Sequence, residues 1–263
     1  MASYIESDVR FRSGQRELVG KINLQPSSHN RLALIAHAYR HDMNAPLCVD
    51  AAKAFQAEGY STLRFNLTGH ESHSGGLEQV SFRTITEDVE SATEFFKQAA
   101  KDKDMKTYKL VFFGVSLGAA AMVLSSVRPD AQFLVSPLID EQELYHRYQE
   151  QIDKKAEQLI KLGYVELDSV SGRGSFMMGR EWIEEARANN VGLQARYGAI
   201  TVPTILAYGS NDETVAKMIK TVAARNRGLL VENIAGANHD FTVMDHRKKL
   251  IADTAIPWLD RQV

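Results

Sequence analysis

From residue 31 onward, short apolar runs return at intervals along the chain, and this rhythm constrains the fold more than any other feature. The six runs read RLALIAHA (31–38), YSTLRFNL (60–67), YKLVFFGV (108–115), AQFLVSP (131–137), PTILAYGS (203–210) and GLLVENIAG (228–236). Strands covered on both faces of a parallel sheet read this way, nearly continuous in apolar content rather than alternating. Helical patterns separate them at 46–58, roughly 82–101, 117–127, 213–227 and 246–261. The alternation predicts an α/β class with a mostly parallel central sheet and helices on both faces. In the second helix, Val89, Ala92, Phe95, Phe96 and Ala99 fall at helical spacing. They follow Thr86-Glu87-Asp88, whose acids complement the positive helix end. Ahead of the runs, residues 4–26 predict two strands joined around Ser13-Gly14, an antiparallel hairpin at one sheet edge.

Bulk properties narrow the class further. A length of 263 residues suits one large α/β domain better than two small ones. With 44% hydrophobic and 24% charged residues, disorder and fibrous classes are disfavoured. A formal net charge of −2 without a long basic run gives no sign of a nucleic acid or anionic membrane partner. Cys48 is the single cysteine, which excludes an internal disulfide and suits a reducing compartment. The stretch MASYIESDVRFRSG has charges where a signal peptide needs apolar residues, and no window approaches the ~18 apolar residues of a membrane span. The expectation is a cytoplasmic protein acting on a small molecule. A homodimer is compatible with the sequence but is not read from it.

Residues 138–200 interrupt the rhythm, since 63 residues stand where one short crossover belongs. Leu144, Tyr148, Ile152, Ala156 and Leu159 or Ile160 mark one face of a long amphipathic helix. A hairpin around Ser171-Gly172 and a helix over REWIEEARANN complete the segment. The expected organisation is a core of residues 1–137 and 201–263 with an inserted cap at 138–200, between the sixth and seventh strands.

The run KLVFFGV ends in Gly114-Val115-Ser116-Leu117-Gly118, and a small-residue helix begins at once. Chance gives G-x-S-x-G in roughly one chain of this length in twelve, so the pattern alone is weak and its setting carries the weight. A strand forced into a helix across one residue makes a sharp, strained turn. A side chain two positions to either side of Ser116 would collide with it, so glycine stands at both. Ser116 is also readable as a plain helix N-cap. Its hydroxyl becomes a nucleophile only beside a base that a third group orients. Asp212 follows the strand PTILAYGS, and His239 follows GLLVENIAG. Serine, acid and histidine therefore each lie just beyond a separate predicted strand, in the order expected of such a fold. Asp212 is equally placed to cap the helix starting near Glu213, while Glu213, Asp240 and Asp245 are competing acids. The backbone N–H of Leu117, at a helix start where amides are free, is a candidate oxyanion donor.

Several stretches resemble the α/β-hydrolase superfamily, and together they span almost the whole chain. GVSLG resembles the nucleophile elbow, LAYGSNDETV the acid-bearing segment, IAGANHDF the histidine segment, and LRFNLTGHESHSGG the glycine-rich stretch after the fourth strand. The nearest flavour is that of serine esterases and of serine-aminopeptidase-like or feruloyl-esterase-like hydrolases with an inserted cap. The resemblance implies a second oxyanion donor in the loop after the third strand, matching the Tyr39 amide in AHAYRH. Ala38 stands where the family commonly has glycine, and Asn66 where many members have aspartate. His37 matches a structural hydrogen-bonding position.

His41, His70 and His73 invite a metal reading, but no H-x-x-x-H on one helix face and no carboxylate cluster completes a ligand set. No strand–GxGxxG–helix unit or P-loop appears, so no metal, cofactor or nucleotide is expected. Phe176, Met177, Met178 and Trp182 form either the cap's own small core or a wall of an acyl or aryl pocket. Arg147, Lys154, Lys155 and Lys161 mark a solvated helix face or a site that steers an anion. The reading is a serine hydrolase of the carboxylesterase type, acting on an ester with a small-to-medium hydrophobic acyl or aryl group through Ser116, His239 and Asp212. The alternatives are an acyl thioesterase or acyltransferase on CoA or carrier-protein thioesters, an aminopeptidase, and a non-catalytic binding protein on the same scaffold.

Overall fold

Strands β1 (Ser7–Ser13) and β2 (Arg16–Asn23) form the antiparallel hairpin at one edge, with Phe11 opposite Leu18 and Ser13 opposite Arg16. The computed structural model describes residues 5–27, 30–70, 76–169 and 174–263. The remaining main-sheet strands are β3 (Arg31–Ala36), β4 (Ser61–Phe65), β5 (Lys109–Val115), β6 (Ala131–Val135), β9 (Thr204–Gly209) and β10 (Leu229–Ile234); β7 (Tyr164–Asp168) and β8 (Ser175–Gly179) pair separately. The eight-stranded order is β1-β2-β4-β3-β5-β6-β9-β10. β2 runs antiparallel to β4, and every pair from β4 to β10 is parallel.

Each central strand feeds two cores by its pleat. Leu32, Leu34, Leu110, Phe112 and Leu134 face one, while Ala33, Ile35, Val111, Phe113 and Phe133 face the other. The valine, leucine, isoleucine and phenylalanine side chains among them contribute about 1.5–3 kcal/mol apiece. Helices α2 (Phe82–Lys101), α3 (Leu117–Leu124) and α8 (Glu213–Arg225) cover the first face. The second is covered by α1 (Pro46–Ala57) and the C-terminal helix. That last helix, expected over 246–261, starts as α9 (Met244–Lys248), widens into a π-helical stretch at Lys249–Ala255 and resumes as α10 (Ile256–Leu259). Pro257 lacks the N–H that would bond back one turn, so the preceding turn loosens instead of ending.

The chain moves from β3 outward to β4 and then crosses back to β5 on the other side of β3. The connections leaving β3 and β5 therefore run in opposite directions from paired strand ends, the switch point at which open α/β sheets bind ligands.

Between β6 and β9 lie α4 (Glu141–Lys154), α5 (Ala156–Leu162), the β7–β8 hairpin, α6 (Arg180–Ala188) and α7 (Leu193–Gly198). The single long helix expected here is two. Lys155 leaves the helical path at φ −109°, ψ 23°; its N–H donates to Ile152 O, three residues back, and its Nζ donates to Glu166 O of the hairpin. The break leaves Leu159 buried and Ile160 exposed. The expected turn at Ser171-Gly172 and the side chain of Leu144 lie outside the described residues. This segment has no separate core, because Tyr148, Val165, Met178, Trp182 and Tyr197 join the cluster that covers the sheet.

Candidate active site

Ser116 sits at φ +50°, ψ −107°, a conformation that only the surrounding packing makes tolerable for a residue with a side chain. Its N–H donates to Val135 O of the neighbouring strand, and its carbonyl accepts from Ala120 N inside α3 and from Leu138 N. Both flanking glycines are sterically required. A Cβ on Gly114 would lie 2.8 Å from Ala119 Cα and 2.8 Å from Met122 Sδ, and one on Gly118 would lie 2.5 Å from Ala36 O. The Gly118 N–H donates to His37 O, tying the start of α3 to the loop that leaves β3.

Asp212 and His239 meet at the same rim. His239 Nδ1 is 2.5 Å from Asp212 Oδ2, and His239 Nε2 is 3.3 Å from Ser116 Oγ. Asp212 Oδ1 meanwhile accepts from Val215 N, so one carboxylate both caps α8 and holds the imidazole. Its two sequence readings describe one geometry. The loops carrying acid and histidine are laced together by Asn211 N–H to Ala237 O, Asn211 Nδ2 to Gly236 O, and Ser136 Oγ to His239 O. Ser136, at φ +43° just after β6, went unmarked in the sequence; its only signal is its place at the end of a buried strand. Of the competing acids, Asp240 faces His41 at 3.6 Å instead.

Burial pulls the His239 pKa down, but the hydrogen bond and charge of Asp212, with the charges of Asp240 and Glu143, outweigh it, so the net direction is upward. The Asp212 side chain is 10% exposed and that of His239 is 42% exposed, so the imidazole is open to solvent while the carboxylate behind it is nearly covered. Glu143, ion-paired with Arg147, is pushed upward mainly by burial, against the attraction of Arg147 and His239.

His37 is a buried structural group. Its Nδ1 donates to Ala38 O while its Nε2 accepts from Leu67 N, which fixes one neutral tautomer, and burial beside His70 holds its pKa well below the usual range. The left-handed residue of this loop is Arg40, at φ +61°, not Ala38. Asn66 supports the same loop by accepting Met43 N–H at 2.7 Å. Buried His70 has its pKa lowered to about 4, chiefly by desolvation. Among the described residues no group of His, Cys, Asp or Glu could hold a metal; His73 lies outside them.

A cavity of about 320 Å³ opens over Ser116 and His239, with Tyr39 and Leu117 in its wall beside the serine. Of the four aromatic and methionine residues expected to line a pocket, only Trp182 does so. Phe176 and Met178 are buried in the core, because the β7–β8 hairpin turns its inner face onto the sheet cluster rather than the cavity. Met177 contributes through its backbone, its carbonyl accepting the Tyr39 hydroxyl at 3.0 Å. Arg147 is solvent-exposed and also lines the cavity with Glu143, and Pro137, Leu138, Thr214 and Val215 complete a wall the sequence did not mark. Among the described residues no helix is long and apolar enough to cross a membrane.

Solved structures share this fold along nearly their full length. Est1E of Butyrivibrio proteoclasticus with ferulic acid bound superposes with a TM-score of 0.74 at 17% identity, covering 97% of this chain and 98% of that one. This is the α/β-hydrolase fold. Alpha/beta hydrolase domain-containing protein 10 from mouse superposes at 0.70 with 19% identity, covering 99% and 100% of the two chains. An esterase of Pyrococcus furiosus superposes at 0.67 with 18% identity, covering 99% and 91%. No protein-family model matches the sequence, and no curated protein matches it. In α/β-hydrolase terms, the turn at Ser116 occupies the strand-to-helix elbow after β5, and Asp212 and His239 follow β9 and β10.

Proposed function

We propose that the protein is a serine hydrolase that cleaves a carboxylic ester with a small-to-medium hydrophobic acyl or aryl group. One observation carries the reading: a strained serine, an imidazole and a carboxylate stand in hydrogen-bonded line at 3.3 Å and 2.5 Å on the wall of one cavity. Ser116 Oγ attacks the ester carbonyl as His239 Nε2 takes its proton. Asp212 fixes the Nδ1–H tautomer and stabilises the imidazolium. The oxyanion is held by the Leu117 and Tyr39 amides, each such donor being worth roughly 10²–10³ in rate. As the acyl C–O bond breaks, His239 hands its proton to the departing alcohol oxygen. Water, deprotonated by the same imidazole, then releases the acid from the acyl-enzyme.

Pro137, Leu138, Trp182 and Val215 in the cavity wall support an apolar acyl group, and the ferulic acid bound to Est1E supports an aryl one. Segment 138–200 serves in this reading as a cap. It supplies Leu138, Glu143, Arg147 and Trp182 to the cavity that holds the nucleophile.

The test is Ser116→Ala, assayed with p-nitrophenyl esters and a fluorophosphonate probe. Turnover is expected to fall roughly a millionfold, with labelling abolished. Full labelling of the mutant would remove Ser116 from its role. Wild-type turnover of acyl-CoA thioesters far above that of oxygen esters would move the substrate class to thioesters with the same three residues.

A further inference from the structure

A second cavity, of about 310 Å³, lies on the far side of the Ala38 loop and shares Ala38 and Asp240 with the cavity over Ser116. Val115, the residue before the nucleophile, and Phe241, two residues after His239, form part of its wall, and Leu47 and Cys48 of α1 form another part. The mechanism above makes no use of this space, although it is as large as the first and within the size range of small-molecule sites.

Its chemistry differs from that of the first cavity. The interior is aliphatic and aromatic, and burial pushes the Cys48 thiol up to about 12, so that wall is neutral. The charged groups at the rim are already engaged. Arg247 Nε donates to Asp50, and its Nη1 donates to the carbonyls of Phe241 and Thr242, while His41 faces Asp240. A charged ligand group entering here would have to displace one of these existing partners, which the apolar interior cannot replace. An uncharged apolar group loses nothing and gains burial.

Position decides which half of the ester enters. The general acid must stand beside the oxygen it protonates, so the leaving alcohol lies on the histidine side of the nucleophile. Phe241 and Thr242, the second and third residues after His239, line this second cavity and not the first, and Asp240 lines both, so the chain after the general acid leads from one cavity into the other. We propose that the cavity between α1 and the His239 loop is the leaving-group pocket, and that it takes an uncharged apolar alcohol of up to about hexyl or benzyl size. Resting on the esterase reading, this divides the substrate into an acyl arm under segment 138–200 and an alcohol arm beside Cys48.

Two variants change the pocket in opposite directions: Ala45, also in its wall just before α1, becomes Phe to fill it (Ala45→Phe), and Cys48→Ala enlarges it. Each is compared with wild type on acetate esters of methanol, butanol and hexanol, which vary the alcohol. A second series, p-nitrophenyl acetate, butyrate and hexanoate, varies the acyl group. The hexyl-to-methyl ratio of kcat/KM should fall at least tenfold in Ala45→Phe and rise severalfold in Cys48→Ala. The hexanoate-to-acetate ratio should stay within about twofold. Circular dichroism and thermal melting confirm that each variant folds, and Cys48→Ala keeps the test open where Ala45→Phe does not. A change confined to the acyl series, or alcohol ratios unmoved in both variants, overturns the pocket assignment. A wild-type protein that hydrolyses neither series and takes no fluorophosphonate at Ser116 overturns the esterase reading itself, a distinct result.

Discussion

The turn from Gly114 to Gly118 and the segment from 138 to 200 both border the same serine, but they are held in place by different physics. The turn is fixed by backbone packed too closely to give: Gly114 admits no Cβ against Ala119 of the helix that follows, Gly118 admits none against Ala36 at the end of β3, and Ser116 sits in left-handed backbone space. The segment is fixed by side-chain contacts. Glu185 of α6 accepts the N–H groups of Phe82 and Arg83 at the start of α2, Trp182 packs on Phe82 with ring centroids 4.8 Å apart, and the Tyr39 hydroxyl donates to Met177 O. An element fixed by its backbone holds a nucleophile to within the tolerance that chemistry demands. An element held by a few side chains across the fold can vary its lining without disturbing the nucleophile, which suits it to substrate selection.

The largest expected effect lies at the rigid rim. Asp212→Asn keeps the shape of the rim but removes the carboxylate that fixes the His239 tautomer, and kcat should fall about 10⁴-fold with p-nitrophenyl acetate. The pH profile sharpens this. The base works neutral and its pKa is raised in the wild type, so kcat/KM should climb through an apparent pKa above histidine's ordinary value. Removing Asp212 takes away the principal upward influence, so residual activity should persist to lower pH. A profile that does not move on substitution would mean that the imidazole is not the titrating base.

Next comes Gly118→Ala. Its Cβ would press on Ala36 O and His37 O, both backbone atoms that cannot swing aside, and about 3 kcal/mol of destabilisation is expected from chemical unfolding. A change below 0.5 kcal/mol would show that the turn is looser than its contacts imply.

The smallest effect belongs to the segment. Glu185→Ala removes two charge-assisted bonds at the α2 N-terminus, which should cost about 2 kcal/mol. It should alter KM more than kcat, because the nucleophile turn is untouched. A fall in kcat comparable to that of Asp212→Asn would erase the distinction between the two regions.

Much of this was legible in residues 108–118. A continuous apolar run, two glycines about a serine and three alanines behind them admit few backbone paths, so the strand, the turn and the helix after it were readable within one stretch of chain. The strand order, by contrast, was not written locally; only pairing shows that β3 lies between β4 and β5 and creates the switch point. The pocket was the least legible part. Phe176 and Met178 share their residue types with genuine pocket walls and differ only in which way the hairpin faces. Arg147 looks like any solvated arginine until α4 is laid over the cavity.

The sequence by itself determined the fold class, the elbow and the three residues at strand ends, because steric exclusion and strand burial act over a few neighbouring positions. Tertiary structure alone decided that Phe176 and Met178 turn into the core, that the middle segment joins the main core, and that a second, apolar cavity adjoins the first. Those outcomes depend on the relative placement of elements far apart in the chain. Such placement is set by the summed packing of whole surfaces, which no local stretch encodes.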